Sequence, residues 1–196
     1  LVVVILGCIE GITEFLPISS TGHLLLAEHW LGHHSDLFNV VIQTGAVMAV
    51  VVVFARRVQE LLTGWTRPEV QDYLIKLAAA FLLTAVGGLM MKKFGLKLPD
   101  NPRPVALATL FGGVGFLVIE RWIRGRSTTD QITWTVALVI GGAQLIAAAF
   151  PGASRSGSTI LLALAVGLSR PAATQFSFLL GIPTLLAAGA KGTYDA

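Results

Sequence analysis

Two carboxylates, Glu10 and Glu14, stand four residues apart inside the apolar stretch ILGCIEGITEFL. At that spacing they share one face of a helix. An ionisable residue inside a membrane-type segment is expensive and as a rule functional; the plainer alternative is that one of the pair snorkels to an interface. Beside a phosphate, two ionised carboxylates would repel strongly. A hard divalent cation, Mg²⁺ or Ca²⁺, would resolve that conflict through their oxygens, so both are candidate metal ligands. Seven residues beyond Glu10 comes Pro17-Ile18-Ser19-Ser20-Thr21-Gly22-His23. Pro17 disfavours helix at Leu16, and the hydroxyls suit the cap of a helix starting near Gly22 or His23. Free N–H groups at such a terminus bind anions, and His23 can trade protons near neutral pH. Read alone, the segment is equally a capped helix start with a structural histidine.

A second segment of this kind is PGASRSGST at 151–159. Arg155 sits among small and hydroxyl residues just before an apolar run, where an arginine must meet an anion or a carboxylate. Its planar fork suits phosphate oxygens. An ion pair with Glu10 or Glu14 is the simpler reading, and the two are compatible.

The elements that must position these groups are membrane helices. The chain has 196 residues, 54% hydrophobic and only 13% charged, and its mean hydropathy is +0.75. Soluble domains carry about 25% charged residues. The composition excludes a disordered chain, a nucleic-acid-binding domain and an ordinary cytosolic enzyme. Runs at 38–55, 74–91 and 104–120, and further ones at 132–150 and 176–190, approach the roughly 20 apolar residues a spanning helix needs. They do not alternate as barrel strands would. Shorter runs at 1–9 and 158–168 abut the two Pro/Ser/Gly segments, a pattern that predicts re-entrant hairpins buried in protein or lining a wet cavity. The single cysteine, Cys8, excludes an intrachain disulfide and a cysteine metal cluster.

The chain also repeats. Gly7-x-x-Glu10 precedes Pro17 and then Ser19-Ser20-Thr21-Gly22; Gly141-x-x-Gln144 precedes Pro151 and, after one inserted residue, Ser154-Arg155-Ser156-Gly157. FNVVIQTGAVMAVVV at 38–52 parallels FSFLLGIPTLLAAGA at 176–190. Three crossings between the copies would invert the second, and inverted repeats with broken helices gather a polar site at the midplane. We therefore expect an all-α polytopic membrane protein, one integral domain over 1–196 with repeat copies of about 1–55 and 136–190 and two re-entrant hairpins. The first copy is followed by three spans and the second by one, and the chain starts at Leu1 rather than Met, so a trimmed chain lacking about two further spans is expected. Arg56, Arg57 and Arg67 in one connection, and Arg121, Arg124 and Arg126 in another, point those loops to the cytoplasm. The opposite connection holds Lys92, Lys93, Lys97 and Arg103. Residues 24–37 hold no Lys or Arg, which places them, with the PISSTG loop, on the outer side.

EGITEFLPISSTGHL at 10–24 and PGASRSGSTI at 151–160 closely resemble the two signature motifs of bacterial undecaprenyl-diphosphate phosphatases of the bacitracin-resistance type. FNVVIQTGAVMAV and SRPAATQFSFLLGIP at 169–183 resemble that family too. The similarity covers essentially the whole chain and departs only in length. It implies hydrolysis of undecaprenyl diphosphate to the monophosphate, recycling the lipid carrier of cell-wall synthesis. It also implies a divalent metal and a site open to the outer face of the bacterial plasma membrane. It carries weight onto Glu10, Glu14, Ser20, Thr21, His23, Ser154, Arg155, Ser156 and Thr159. In these roles Glu10 and Glu14 hold the metal. Arg155 and backbone N–H groups near Ser154–Ser158 hold phosphate oxygens, with Thr21, Ser154, Ser156 and Thr159 as further substrate contacts. Ser20 is the candidate nucleophile with His23 as proton partner, and His23 as direct nucleophile is the rival. Partners are the polyprenyl diphosphate and membrane lipids, not nucleic acid; a homodimer stays open. A polyprenyl-phosphate carrier using the same anion cradle is the alternative function.

Other polar residues carry less. His29, His33 and His34 read as an exposed loop rather than a metal site, since zinc needs three or four ligands. Gln43 and Gln144 read as buried amides near the site. Gly87-Gly88 and Gly112-Gly113 read as close helix approaches. No P-loop or dinucleotide fingerprint is present.

Overall fold

The computed structural model describes residues 1–94, 102–150 and 152–195. Pro151 of the second motif and Lys97 of the basic connection therefore lie outside the described residues. Among those described, the chain is helical: α1 Val2–Phe15, α2 Ser20–Leu31, α3 Asp36–Val53, α4 Ala55–Thr63, α5 Pro68–Lys93, α6 Pro102–Ile123, α7 Trp134–Ala149, α8 Arg155–Ala165 and α9 Arg170–Asp195. Three of these are long and apolar enough to cross a membrane, or four if the pair Val41–Val53 and Ala55–Thr63, bent by 77°, counts as one broken span. This is an all-α, multi-pass membrane protein, as the composition requires.

The run at 132–150 is not a span. It forms α7, 16 residues long, or about 24 Å, short of the roughly 30 Å hydrocarbon core. It is one arm of a hairpin whose other arm is α8. The two ends of that hairpin meet: Thr129 N–H donates to the Gly167 carbonyl at 3.0 Å, and Ser169 N–H donates to the Thr129 carbonyl at 2.8 Å. The chain thus enters and leaves the second hairpin on one face, which is what re-entrant means. α1 and α2 pack on each other around residues 16–19 in the same way. The PISSTG segment, with Ser20–Gly22 already in the first turn of α2, forms the tip of this first hairpin. α2 separates it from 32–37, and it meets the second tip inside the protein.

Both tips are built alike because both need a serine cap. Ser19 Oγ accepts the Gly22 N–H at 3.3 Å, and Ser154 Oγ accepts the Gly157 N–H at 3.0 Å. Each satisfies one orphan donor of a helix start. α2 therefore begins at Ser20, earlier than Gly22 or His23, because Ser19 rather than a later hydroxyl is the cap. Ser19 is also held at φ 66°, a left-handed conformation that costs a non-glycine residue about 1–2 kcal/mol. At the second tip Gly152 takes the positive φ of 98°. A Cβ there would stand 2.3 Å from the Val105 carbonyl oxygen of α6. Thr109 Oγ1 ties the same loop to α6 by donating to the Gly152 carbonyl at 3.1 Å.

The core lies where α5, α7, α8 and α9 converge, around Ala80, Ile140, Ala163, Phe176 and Leu180. Phe178 of α9 stacks on Phe15 and Phe54. α5 crosses α7 at Gly141, where a Cβ would meet the Ala80 carbonyl oxygen at 2.8 Å, and Gly87 faces Leu145 as closely. The expected close approach holds for Gly87. It fails for Gly88, Gly112 and Gly113, where a Cβ would meet nothing within 4 Å.

Candidate active site

The last two turns of α1 deliver the two carboxylates, and the first turns of α2 and α8 deliver the groups that meet Glu14. Glu10 and Glu14 are 0% and 8% exposed, so neither snorkels. Glu14 is the junction. Ser20 Oγ donates to its Oε2 at 2.7 Å, and Arg155 Nη2 donates to its Oε1 at 2.7 Å. Ser156 Oγ also donates to the Glu14 carbonyl, at 3.4 Å. Ser20 and Arg155 each follow the cap serine of their own repeat, so equivalent positions of the two copies grip one carboxylate from two sides. Of the two glutamates open to Arg155 in the sequence, the structure selects Glu14.

Glu10 has no hydrogen-bond partner for either carboxylate oxygen. A fully buried carboxylate in that state is costly unless a cation or proton meets it. No group of three or more His, Cys, Asp or Glu side chains able to hold an ion occurs among the described residues. With both Glu14 oxygens taken by Ser20 and Arg155, the unpartnered Glu10 oxygens are the donors that would suit a hard divalent ion of the kind Mg²⁺ shares with substrate phosphates.

The other expected residues divide. Ser154 caps α8 and lies 3.2 Å from Ser156 Oγ. Thr159 is buried, but its hydroxyl donates to the Arg155 and Ser156 carbonyls of its own helix, so it braces the first turn rather than facing the cluster. Thr21 is exposed. His23 does not pair with Ser20. Its Nδ1 lies 2.9 Å from the Ser19 carbonyl, which only accepts, so Nδ1 carries a hydrogen and Nε2 is the acceptor of the neutral ring. His23 lines a cavity of about 290 Å³ between the two tips, together with Ser19, Thr109, Ser154 and Ser158. Gln144 is buried, and its Nε2 donates to Thr84 Oγ1 of α5 at 2.9 Å; Gln43 is only half-buried. His29 and His33 are exposed.

Two contacts had no sequence signal. Arg155 Nη1 reaches the Ser177 carbonyl at 3.4 Å. A Cβ on Gly181 would stand 2.3 Å from the same Nη1. The α9 face that receives the guanidinium is legible only once α8 and α9 are placed side by side.

The family model described as bacitracin resistance protein BacA matches residues 3–195. The chain belongs to the BacA family. A protein named undecaprenyl-diphosphatase from Rhizobium etli is 55% identical over 185 residues, 94% of this chain and 70% of that protein. One of the same name from Xylella fastidiosa is 51% identical over 191 residues, 97% and 73% of the two chains. Another, from Xanthomonas euvesicatoria, is 51% identical over 185 residues, 94% and 70%. The motif resemblance at 10–24 and 151–160 thus belongs to a likeness that runs the length of the chain. In this member of the BacA family both motifs are hairpin tips, and Ser20, Arg155 and Ser156 of the two tips converge on Glu14.

Proposed function

We propose that this chain is an undecaprenyl-diphosphatase, hydrolysing undecaprenyl diphosphate to undecaprenyl phosphate and inorganic phosphate at the Glu14–Ser20–Arg155 cluster. One observation carries the site: a single buried carboxylate accepts a serine hydroxyl on one oxygen and a guanidinium on the other. Phosphoryl transfer needs a positioned nucleophile and fixed positive charge around the phosphoryl oxygens. Here Ser20 Oγ attacks the terminal phosphorus while its proton passes to Glu14. The bridging P–O bond breaks and the lipid monophosphate leaves. Water then cleaves the phosphoserine, releasing phosphate and restoring the hydroxyl.

Arg155 holds the phosphoryl oxygens. Its Nε is buried without a partner and its Nη1 contact to Ser177 is long, so the guanidinium keeps hydrogen-bonding capacity beyond the Glu14 pair. The N–H groups opening α8 add dipolar attraction for the anion. His23, facing the cavity between the tips, is placed to move a proton to or from the leaving group through Nε2. Glu10 and Glu14 are the residues that would hold Mg²⁺ or Ca²⁺. Such an ion, when bound, supplies charge neutralisation at the phosphoryl oxygens.

The site lies in the bacterial plasma membrane and opens to the outer side, a reading supported by arginines at 56, 57, 121, 124 and 126 against none in 24–37. The test is phosphate release by the intact protein from undecaprenyl diphosphate with Mg²⁺ or Ca²⁺. Release that Ser20→Ala abolishes is expected. Lipid translocation without release would instead mark a carrier.

A further inference from the structure

We propose that the apolar groove between α6, α7 and α8 seats the head-proximal isoprene units of the substrate, making α6 the determinant of prenyl-chain recognition. The proposal rests on the hydrolase reading above. The groove holds about 550 Å³, and its walls include Leu107, Phe111, Ile146, Phe150 and Leu161. It lies alongside the cavity between the hairpin tips: Gly112, Ala153, Ser158 and Leu161 line both. The lining therefore passes from serines, His23 and two helix starts to bare hydrocarbon.

Any lipid-facing surface meets acyl chains, but this one is a concavity that joins the polar cavity. A ligand carrying a diphosphate at one end and hydrocarbon at the other matches that order of linings, and a water-soluble phosphate ester does not. The glycines of α6 make the room. Gly112 and Gly113 have open space where a side chain would stand, and a Cβ on Gly115 would make only ordinary contact, 3.4 Å from Leu161 Cδ2. They are not close helix crossings like Gly141. What they leave open is the junction of groove and cavity. A volume of this size suits a drug-sized segment, so the far end of a long prenyl chain stays in the bilayer.

Gly115→Leu places a helix-favouring residue on α6 while filling the groove away from the carboxylates. In the intact protein, kcat/KM would be measured for undecaprenyl diphosphate and for methyl diphosphate, which carries no isoprene unit. The ratio of the two should fall about tenfold or more, the loss expected when roughly two buried methylene groups are displaced. Leu107→Trp, on the exposed wall, should lower the ratio in the same direction should Gly115→Leu fold poorly. Leu117→Trp, lipid-facing and outside the groove, should leave it at the wild-type value. A ratio unchanged in both groove variants, with phosphate release intact, overturns the groove as the tail site. No release by the wild-type protein at any chain length overturns the hydrolase reading, and this proposal with it.

Discussion

Glu14 holds two different partners, and that makes its replacement informative. Glu14→Gln keeps the shape but removes the charge that accepts the Ser20 proton and pairs with Arg155. We expect phosphate release to fall by about 100-fold or more, the range for losing a positioned proton acceptor. Stability should fall by about 3–5 kcal/mol, because the guanidinium is left without its buried counter-charge; thermal unfolding in detergent checks this. Arg155→Lys keeps a positive charge but loses the fork, and should lose on the order of 100-fold in turnover. If it behaves as wild type, Arg155 is only a structural partner of Glu14. Ser20→Ala removes one hydroxyl and no charge, so diphosphate-analogue binding should survive while turnover disappears. Normal turnover in Ser20→Ala beside a dead His23→Ala would move the nucleophile to His23. Glu10, Glu14 and Arg155 were legible in the sequence because charge in an apolar segment is too expensive to be idle, whereas Ser20 stood out only through the motif that carries it. The pairing of Ser20 with Glu14 rather than His23 was not legible. Ser20 and His23 are near in sequence, but Ser19 takes His23 for its own carbonyl.

The hairpins, as elements, depend on small residues at two kinds of place. Gly141 lets the α5 backbone sit against α7, so Gly141→Ala should force the Ala80 carbonyl away and lower the stability of the protein by about 1–3 kcal/mol. Gly88→Ala, where a side chain meets nothing, should be neutral or stabilising by up to about 1 kcal/mol through helix propensity. Thermal unfolding of the two variants side by side reads the difference. The hairpins were legible because apolar runs too short to span abut Pro/Ser/Gly segments. Their arms were less so: hydropathy alone made 132–150 a span, and only the Thr129–Gly167–Ser169 hydrogen bonds show that α7 returns. Glycine pairs were the weakest guide. The same dipeptide marks a crossing at Gly87 and open room at Gly112, and sequence holds no sign of which neighbour arrives.

Across the whole molecule, the two hairpin tips meet at one buried carboxylate, Glu14. The proposed outward orientation, supported by arginine placement, can be read in cells. His33, 80% exposed at its side chain in the lysine-free segment after α2, should as His33→Cys react with an impermeant thiol reagent in a background lacking Cys8. Labelling only after permeabilisation would put the site on the cytoplasmic side. The central claim is that Glu14 of the first tip and Arg155 of the second act as a unit on one diphosphate. A double-mutant cycle on phosphate release, with Glu14→Gln, Arg155→Lys and both together in the intact protein, tests it most directly. Groups acting as a unit are strongly non-additive. The double variant should therefore lose little more than the worse single one, and losses that simply multiply would contradict the shared site.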